Sequence, residues 1–318
     1  MTPRSRRSVT AALGLIMAGL TLVACGPAAP AERFSIAGGG VTGVYYAFGE
    51  QLADVLSSRL DTVVTVDETN GSVDNLQRVS DGRALFGFAQ SDVAADAVAG
   101  NGGFAEPLAV QAVARLYDEY VHVVVRSDSD IMQIGDFAGR AVSLGAPSSG
   151  VSIVAERVII AAGVDPAAID DRAMGLAESI DALRDGDIEG FFWVGGLPTP
   201  GLAELFGEAP TRLLSIDAAT VERANAAHGG VYRLAEFPIG AYGRTQATAT
   251  MTVPNYLMVA QSASDELVRE VLTALFESRS VIAAEVPAAA LLDRREAIFT
   301  DPVSLHAGAV EYYSESRR

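Results

Sequence analysis

The chain has 318 residues and carries 40 acidic against 23 basic side chains, for a formal net charge of −17. All 23 basic side chains are arginine, and a sequence without lysine excludes Schiff-base chemistry, the P-loop lysine and the kinase ATP lysine. An acidic chain without a basic run also lacks the charge that phosphate binding needs, so DNA and RNA are poor partners.

The N-terminus has the pattern of an export signal. Arginines in the first ten residues precede an uncharged apolar run of 13 residues, Ala11–Val23. That length is within the roughly 7–15 residues of an export signal and below the roughly 18–20 that span a bilayer. The run ends in LVACG, similar to a bacterial lipobox, whose cysteine receives lipid. We therefore expect a lipoprotein signal peptide at residues 1–24, lipidation at Cys25 and a tether over residues 25–32.

Removal of this signal leaves a more acidic mature chain. It keeps 20 arginines and 40 acids, a net charge of −20. The segment SRRSV near the start loosely resembles a twin-arginine signal, so Sec and twin-arginine export both stay open. A lone cysteine forms no internal disulfide, and three histidines far apart in the sequence match no metal-ligand spacing, so we expect no metal site.

From residue 33 onward, apolar strands alternate with helical periodicity, which predicts an α/β class with mostly parallel strands. The first series consists of a strand at Phe34–Ala37, a helix with an apolar face from Tyr45 to Leu56, a strand at Thr62–Val66, a helix at Ser72–Ser80 and a strand at Ala84–Ala89. The second series consists of a strand at Ala141–Leu144, a helix at Val151–Ala162 ended by Gly163, and a strand in the sequence IEGFFWV.

Two long apolar stretches connect these series. We expect Ala112–Val125 to cross from the first unit to the second and Thr248–Ala260 to return. Helices predicted over Asp265–Ala284 and Val303–Ser314 then pack back on the first unit. The pattern therefore predicts two α/β units with a double crossing between them.

A glycine-rich turn follows the first strand. Gly38–Gly43 satisfies G-x-G-x-x-G, and the acidic pair Asp67-Glu68 closes the next strand where a ribose-binding carboxylate would lie. An exported NAD(P)-dependent oxidoreductase is therefore one alternative. Export argues against it, because nicotinamide cofactors are not free outside the cytoplasm, and the chain has no lysine for catalysis.

The same turn has a simpler interpretation as one of three. Thr69–Ser72 leads into the second helix, with Ser72 as its predicted N-cap, and Pro147–Gly150 leads into the helix of the second series. Each turn lies at the carboxyl end of a strand and the start of a helix, where open α/β sheets bind ligands. Backbone N–H groups at such helix starts favour a small anion, most simply a carboxylate.

The strings GGGVTGVYYAFGEQLA, TNGSVDN, FGFAQSDVA, LGAPSSG and FFWVGGLPTP resemble, in order and spacing, the TAXI class of solute-binding proteins that serve TRAP transporters. The resemblance implies a two-lobed type II periplasmic-binding-protein-like fold with a ligand cleft between the lobes. Lobe 1 would comprise residues 33–120 and 252–318, and lobe 2 residues 121–251. The sequence departs from the family pattern at Asp118, where the family has a proline.

The resemblance also implies a function. The protein would be periplasmic and anchored to the membrane through Cys25. It would not be an enzyme and would bind no cofactor. It would capture a small organic anion, a dicarboxylate or an amino acid such as glutamate, and deliver it to the TRAP membrane permease. A sensor with the binding fold but without a transporter remains an alternative.

Residues implied to bind the ligand come from both lobes. They are Gly40, Gly43, Tyr45, Thr69, Ser72, Asn75, Gln90, Tyr117, Ser148, Ser149, Gly150, Trp193 and Gly196. From residue type alone, Tyr45 and Trp193 could equally be core residues, Asn75 a surface helix residue and Gln90 a helix cap. Arg115 and Arg126 flank the crossing segment and could pair with a ligand carboxylate, although Arg126 fits a solvated loop as well.

Overall fold

The computed structural model describes residues 33–316, which form ten strands and ten α-helices. The strands are β1 (Arg33–Ala37), β2 (Val63–Asp67), β3 (Phe86–Gln90), β4 (Val110–Arg126), β5 (Ala141–Ser143), β6 (Asp170–Asp171), β7 (Gly190–Gly195), β8 (Thr211–Leu213), β9 (Arg233–Phe237) and β10 (Thr248–Ala260). The helices are α1 (Val44–Leu60), α2 (Ser72–Ser80), α3 (Ser91–Ala99), α4 (Gly150–Ala161), α5 (Leu176–Asp185), α6 (Pro200–Glu208), α7 (Ala218–Ala227), α8 (Asp265–Glu277), α9 (Arg279–Glu285) and α10 (Ala307–Glu315). The predicted signal peptide, Cys25 and the tether lie outside the described residues.

All ten strands belong to one mixed sheet. Its order is β2-β1-β3-β10-β4-β7-β5-β6, with β8 paired to β4 and β9 paired to β10. The strands at the two ends are parallel, whereas β4 and β10 run antiparallel to each other and to their other neighbours. The prediction of mostly parallel strands is therefore correct for each series and wrong for the centre of the sheet.

The two predicted crossing segments are these long central strands. They pair with each other along most of their length, and β4 runs through both halves of the molecule. Val113 and Leu116 of β4 pack in one hydrophobic core, while Val121 and Val123 pack in another. Because β4 and β10 continue through both cores, the lobe boundaries at 120/121 and 251/252 stay a prediction.

The first core contains the apolar face of α1 and the C-terminal helices. Phe48 and Leu52 of α1 lie there with Leu272 of α8 and Tyr313 of α10, and all four are buried. The C-terminal helices thus pack on the first series, as the sequence predicts. Leu52 and Leu272 have no exposed surface. Burial of each side chain stabilises the folded state by about 1.5–3 kcal/mol.

The second core surrounds β5, β7 and α4. Phe137, Val158 and Phe192 are buried at its centre. Helices α6 and α7 and strands β8 and β9 complete this half and have no counterpart among the predicted elements. Leu202 and Leu205 of α6, and Val221 and Ala224 of α7, are buried at a helical spacing of three residues.

Helix starts differ from the prediction at one of the glycine turns. Gly71, with φ +112°, is the N-cap of α2, and Ser72 is the first helical residue. The Ser72 hydroxyl is therefore not a cap, and it accepts a hydrogen bond from the Gln90 N–H at 3.2 Å instead. At the other turn Ser149 is the N-cap of α4, and its hydroxyl accepts from the Ser152 N–H at 3.0 Å.

Within residues 33–316, no helix combines the length and apolarity that crossing a bilayer requires.

Candidate ligand-binding cleft

A cavity of about 280 Å³ lies between the two cores. Its wall includes the first turns of α1, α2, α4 and α5, at Gly43–Tyr45, Gly71–Ser72, Ser149–Val151 and Gly175–Ala177. The N–H groups of a first helical turn have no partner within the helix, and the helix dipole places partial positive charge there. Four such ends around one cavity form a binding environment for an anionic group.

The elements on the two sides of the cavity contact each other directly. The Asp74 N–H donates a hydrogen bond to the Ser148 carbonyl at 3.2 Å, and the Gly201 N–H donates to the Thr42 carbonyl at 3.2 Å. Thr42 lies just before α1, and Asp74 belongs to α2, so both are in the first series. Their partners, Gly201 and Ser148, are in the second series. The structure therefore has the cleft in a closed form.

Most of the residues predicted to bind the ligand line this cavity. These are Gly40, Gly43, Tyr45, Thr69, Ser72, Gln90, Ser149, Gly150 and Trp193. They come from five separate stretches of sequence and from both series. Their role in binding stays a prediction, and the fold brings them to one place.

Asn75 lies behind the cavity wall. It is fully buried, its side-chain amide donates to the Phe88 carbonyl at 2.8 Å, and its carbonyl oxygen accepts from the Thr69 hydroxyl at 2.5 Å. Thr69 in turn accepts the Gly39 N–H at 2.8 Å. Asn75 therefore fixes the Thr69 side chain, and Thr69 links the two glycine turns. The Thr69 hydroxyl already has hydrogen-bond partners within the protein.

The other three predicted residues also lie outside the cavity wall. Ser148 is exposed with φ +61°, and it is its backbone carbonyl that bridges the cleft. Tyr117 is buried behind the cavity and packs against Gly196, where an added Cβ would lie 2.8 Å from the tyrosine ring. These three residues support the closed contact between the cores.

Trp193 forms part of the cavity wall from the second series. Its indole N–H donates to the Thr199 hydroxyl at 3.1 Å, which fixes the ring. An added Cβ at Gly43 would lie 3.3 Å from that ring, so the absence of a side chain at Gly43 lets the two sides approach. Phe191, two residues earlier on β7, is fully buried. The strand thus has Trp193 at the cleft and Phe191 in the core.

An acidic residue that the predicted site omits lies at the cavity. Glu119 of β4 has 1% of its surface exposed and lines the cavity wall. The Tyr45 hydroxyl donates to its Oε2 at 3.1 Å, while the Tyr45 ring stacks on Phe88. Burial raises the pKa of the Glu119 carboxyl to about 8, although Gln90 and Tyr45 nearby favour its ionised form. The available signal was the acidic pair Asp118-Glu119 inside a long, largely apolar strand.

The ionisable side chains of the cavity wall that could carry a full charge are all carboxyls. Glu68, Glu119 and Glu178 line it, and within residues 33–316 no arginine or histidine does. Arg115 pairs with Asp118 at 2.6 Å and Arg126 is tied to a loop aspartate, so neither predicted cation reaches the cavity. The wall therefore offers helix N-termini for negative groups and carboxyls for positive ones.

A buried ion pair joins the two sides away from the cavity. Arg157 of α4 contacts Asp92 at 2.7 Å and Asp96 at 2.5 Å, both on α3, and the Tyr232 hydroxyl donates to Asp92 at 2.7 Å. The Asp92 side chain is 1% exposed and that of Arg157 is 10% exposed. Residues 65 positions apart gave no sequence signal for this pairing.

Metal-ligating side chains do not cluster in the described part of the chain. No group of three or more histidines, cysteines, aspartates or glutamates there could hold a metal ion. The cavity, at about 280 Å³, is at the small end of ligand pockets, which span about 300–1,000 Å³ for drug-sized molecules. Its size suits a solute of a few carbon atoms better than a dinucleotide.

Comparison with known proteins identifies the fold. Residues 36–316 match the model of the NMT1-like family. The structure is similar to the binding protein component of an ABC phosphonate transporter from Pseudomonas aeruginosa, at 13% identity and a TM-score of 0.55, covering 82% of this chain and 80% of that one. It is also similar to the alkanesulfonate-binding protein SsuA from Xanthomonas axonopodis pv. citri bound to MOPS, at 14% identity and a TM-score of 0.51, covering 90% and 85%.

A third similar structure is described as a periplasmic transporter, at 15% identity and a TM-score of 0.53, covering 91% of this chain and 94% of that one. Identities this low show a shared fold. The predicted periplasmic-binding-protein fold is confirmed.

Proposed function

The chain belongs to the NMT1-like family, and from this membership and the geometry of the cleft we propose that it is a periplasmic solute-binding protein. It captures a small organic anion, a dicarboxylate or an amino acid such as glutamate. It then delivers that solute to a membrane permease. The proposal assigns it no catalytic step.

The convergence of four helix N-termini on one small cavity carries this proposal. Each end favours an anion by about 0.3–1 kcal/mol at an exposed site, and by more in a partly buried geometry. Closure excludes water, so the same dipoles act at a lower effective dielectric and bind more strongly. The mature chain is acidic overall, but salt screens charges beyond about 8 Å at physiological ionic strength, so these local dipoles dominate.

We assign the partner permease to the TRAP type and the protein to the TAXI class. The support is the series of motifs around Gly38–Gly43, Thr69–Asn75 and Pro147–Gly150 that resembles that class. The solute shifts the protein toward the closed form only by its greater affinity for that form. Closure then tells the permease that the site is occupied, whereas a sensor would report it to another partner. Uptake of solute by a two-part permease reconstituted with this protein separates these two roles.

Thermal unfolding with a panel of small carboxylates, amino acids and nucleotides tests the binding function. A ligand at 100 times its Kd stabilises the native state by about 2.7 kcal/mol, which raises the Tm by several degrees for a domain of this size. We expect such a shift with at least one dicarboxylate or amino acid and none with the corresponding amide, which lacks the carboxylate. A shift with NAD(P) alone would contradict the proposal and favour the oxidoreductase alternative.

We further propose that Cys25 anchors the mature protein to the membrane. We expect Cys25→Ala to move the protein from the membrane fraction to the soluble periplasmic fraction, because the thiol that receives the lipid is removed. Fractionation and labelling with a radioactive fatty acid measure this. Retention of label in the variant would refute the anchor and leave the binding function unaffected.

A further inference from the structure

Glu119 is an unusual residue for the middle of a sheet. It lies on β4, where its neighbours Tyr117 and Val121 on the same strand are buried, and only 1% of its own surface is exposed. Burying a carboxyl group costs several kcal/mol when it stays ionised. An apolar side chain would avoid that cost at this position. The cavity that this carboxyl lines is therefore where its function should be sought.

The polar groups around Glu119 form an incomplete network. We refer to Glu119, Tyr45, Gln90, Tyr117 and Asn255 as the floor cluster; each comes from α1, β3, β4 or β10. Only the Tyr45 hydroxyl makes a well-formed hydrogen bond to the carboxyl. The carbonyl oxygen of Gln90, the Tyr117 hydroxyl and both amide atoms of Asn255 are buried with no hydrogen-bond partner. Buried polar groups normally have partners, so this cluster has capacity for more.

That remaining capacity includes acceptors at the cavity. Gln90 is 2% exposed and lines the cavity wall, and its unpartnered atom is the carbonyl oxygen, which only accepts. The Glu119 carboxyl, when ionised, is likewise an acceptor only. Two acceptors beside one cavity match a donor group that carries several N–H bonds.

Among residues 33–316, no positively charged side chain faces this carboxyl. From α1 and β4 the titratable neighbours are Tyr45 and Tyr117, whose pKa values burial raises well above their usual range, so both stay neutral. From α3 the nearest charge is Asp92, which is paired with Arg157. Across the cavity the charged lining side chains are Glu68 and Glu178. A ligand ammonium would therefore be the first positive group beside this carboxyl.

We propose that Glu119 receives a protonated amino group of the ligand, so that this site selects amino acids over carboxylic acids without an amine. This inference rests on the proposed function, because it assigns the second end of the same solute. The ligand carboxylate lies at the helix N-termini, and the ammonium donates to Glu119 and the Gln90 carbonyl oxygen. The helix N-termini and the Glu119 carboxyl thereby bind the two opposite charges of one ligand.

Binding of the ammonium is coupled to loss of a proton from Glu119. In the free cleft the raised pKa of about 8 keeps this carboxyl mostly protonated at neutral pH. An ammonium beside it stabilises the ionised form, so its proton is released to solvent. Affinity for an amino acid therefore rises up to tenfold per pH unit toward pH 8 and levels off above it.

A carboxylic acid without an amine has the opposite dependence. Its negative charge favours the protonated form of Glu119, so its affinity is flat below about pH 8 and falls above it as the carboxyl ionises. The sign of the pH dependence thus distinguishes an amine contact from general anion binding. The carboxylate of a free amino acid stabilises its own ammonium, which stays protonated over this interval.

Isothermal titration calorimetry between pH 6 and pH 8.5 tests the inference on matched pairs. The pairs are L-glutamate with glutarate and L-alanine with propionate, which differ only in the amine. We expect one amino acid to bind at least tenfold more tightly than its partner at pH 8. Its affinity rises with pH, and titrations in buffers of different ionisation enthalpy detect about one released proton near pH 6.5.

Glu119→Gln is the matched variant, because it keeps the shape and removes the ionisable group. We expect it to lower the affinity for the amino acid at least tenfold, to remove the pH dependence and to leave the partner acid within twofold. If the variant does not fold, the wild-type pH slopes decide alone.

Two further results overturn different parts of the proposal. Equal affinities and equal pH slopes within both pairs overturn the role of Glu119 and leave the proposed function standing. Failure of every carboxylate and amino acid in the panel to bind overturns the proposed function, and this inference with it.

Discussion

Replacement of Arg157 with leucine is expected to lower the free energy of unfolding by about 3–5 kcal/mol, since removal of one partner leaves a buried charge without compensation. The partner left behind is Asp92, whose side chain is 1% exposed and lies 2.7 Å from the guanidinium. Asp96, at 2.5 Å, loses its partner as well. Leucine replaces part of the apolar volume of the arginine stem but supplies no donor.

Urea unfolding of the protein without ligand measures this loss. Arg59→Leu is the matched control, because Arg59 also pairs with two acids, at 2.8 Å and 2.7 Å, but on an exposed surface. Exposed pairs contribute about 0–1 kcal/mol, so we expect the control to change stability little. Equal effects of the two leucine variants would refute a special role for burial.

A double variant separates the lost charge from the lost packing. Asp92→Asn added to Arg157→Leu removes the uncompensated carboxylate while keeping an acceptor for the Tyr232 hydroxyl. We expect it to recover at least half of the lost stability, in the manner of a double-mutant cycle. Because α3 and α4 lie on different sides of the cleft, we also expect the single variant to bind ligand more weakly.

A methyl group at Gly150 is expected to weaken ligand binding at least tenfold with little change in stability. Gly150 is the first residue of α4 and lines the cavity. An added Cβ would collide with the Gln90 carbonyl oxygen and would lie 2.7 Å from the Ser72 hydroxyl. Both of these groups are on the opposite side of the cleft and are buried, so neither has room to move away while the cleft stays closed.

Calorimetric titration with the ligand found in the panel, together with the Tm of the free protein, measures the effect of Gly150→Ala. Alanine favours a helix over glycine by about 1 kcal/mol, so the Tm of the free protein should hold or rise. Gly207→Ala in α6 is the control, because an added Cβ there meets no atom within 4 Å. Unchanged affinity in Gly150→Ala would show that the cleft binds ligand without the closed contact seen here.

The local elements were largely predictable because their signals are local. The helix predicted at Ser72–Ser80 has the observed bounds, and the strand predicted at Phe34–Ala37 starts one residue late. Helices α6 and α7 were missed, and the helix predicted over Asp265–Ala284 is divided at Ser278. Leu202 and Leu205 of α6 are buried and three residues apart, so a helical period was present in the sequence there.

The glycine turns were predictable in part, and so was the cleft that they form. A turn between a strand and a helix places Gly43 and Ser149 at the cleft by topology alone. Residue type did not show which side chains reach the cavity: Thr69 and Gln90 line it, whereas Asn75 is buried behind it. That distinction depends on hydrogen bonds to strands that are distant in sequence.

The amino-acid sequence by itself determined the α/β class, the export pattern ending at Cys25, and the exclusion of every lysine-dependent chemistry, because composition and short-range periodicity carry that information. Only the tertiary structure decided the electrostatics of the site. Glu119 acquires its raised pKa, and Asp92 acquires Arg157 as a partner, through burial and through contacts between residues far apart in the chain. Desolvation and long-range pairing are properties of the folded molecule, so no local pattern in the sequence could specify them.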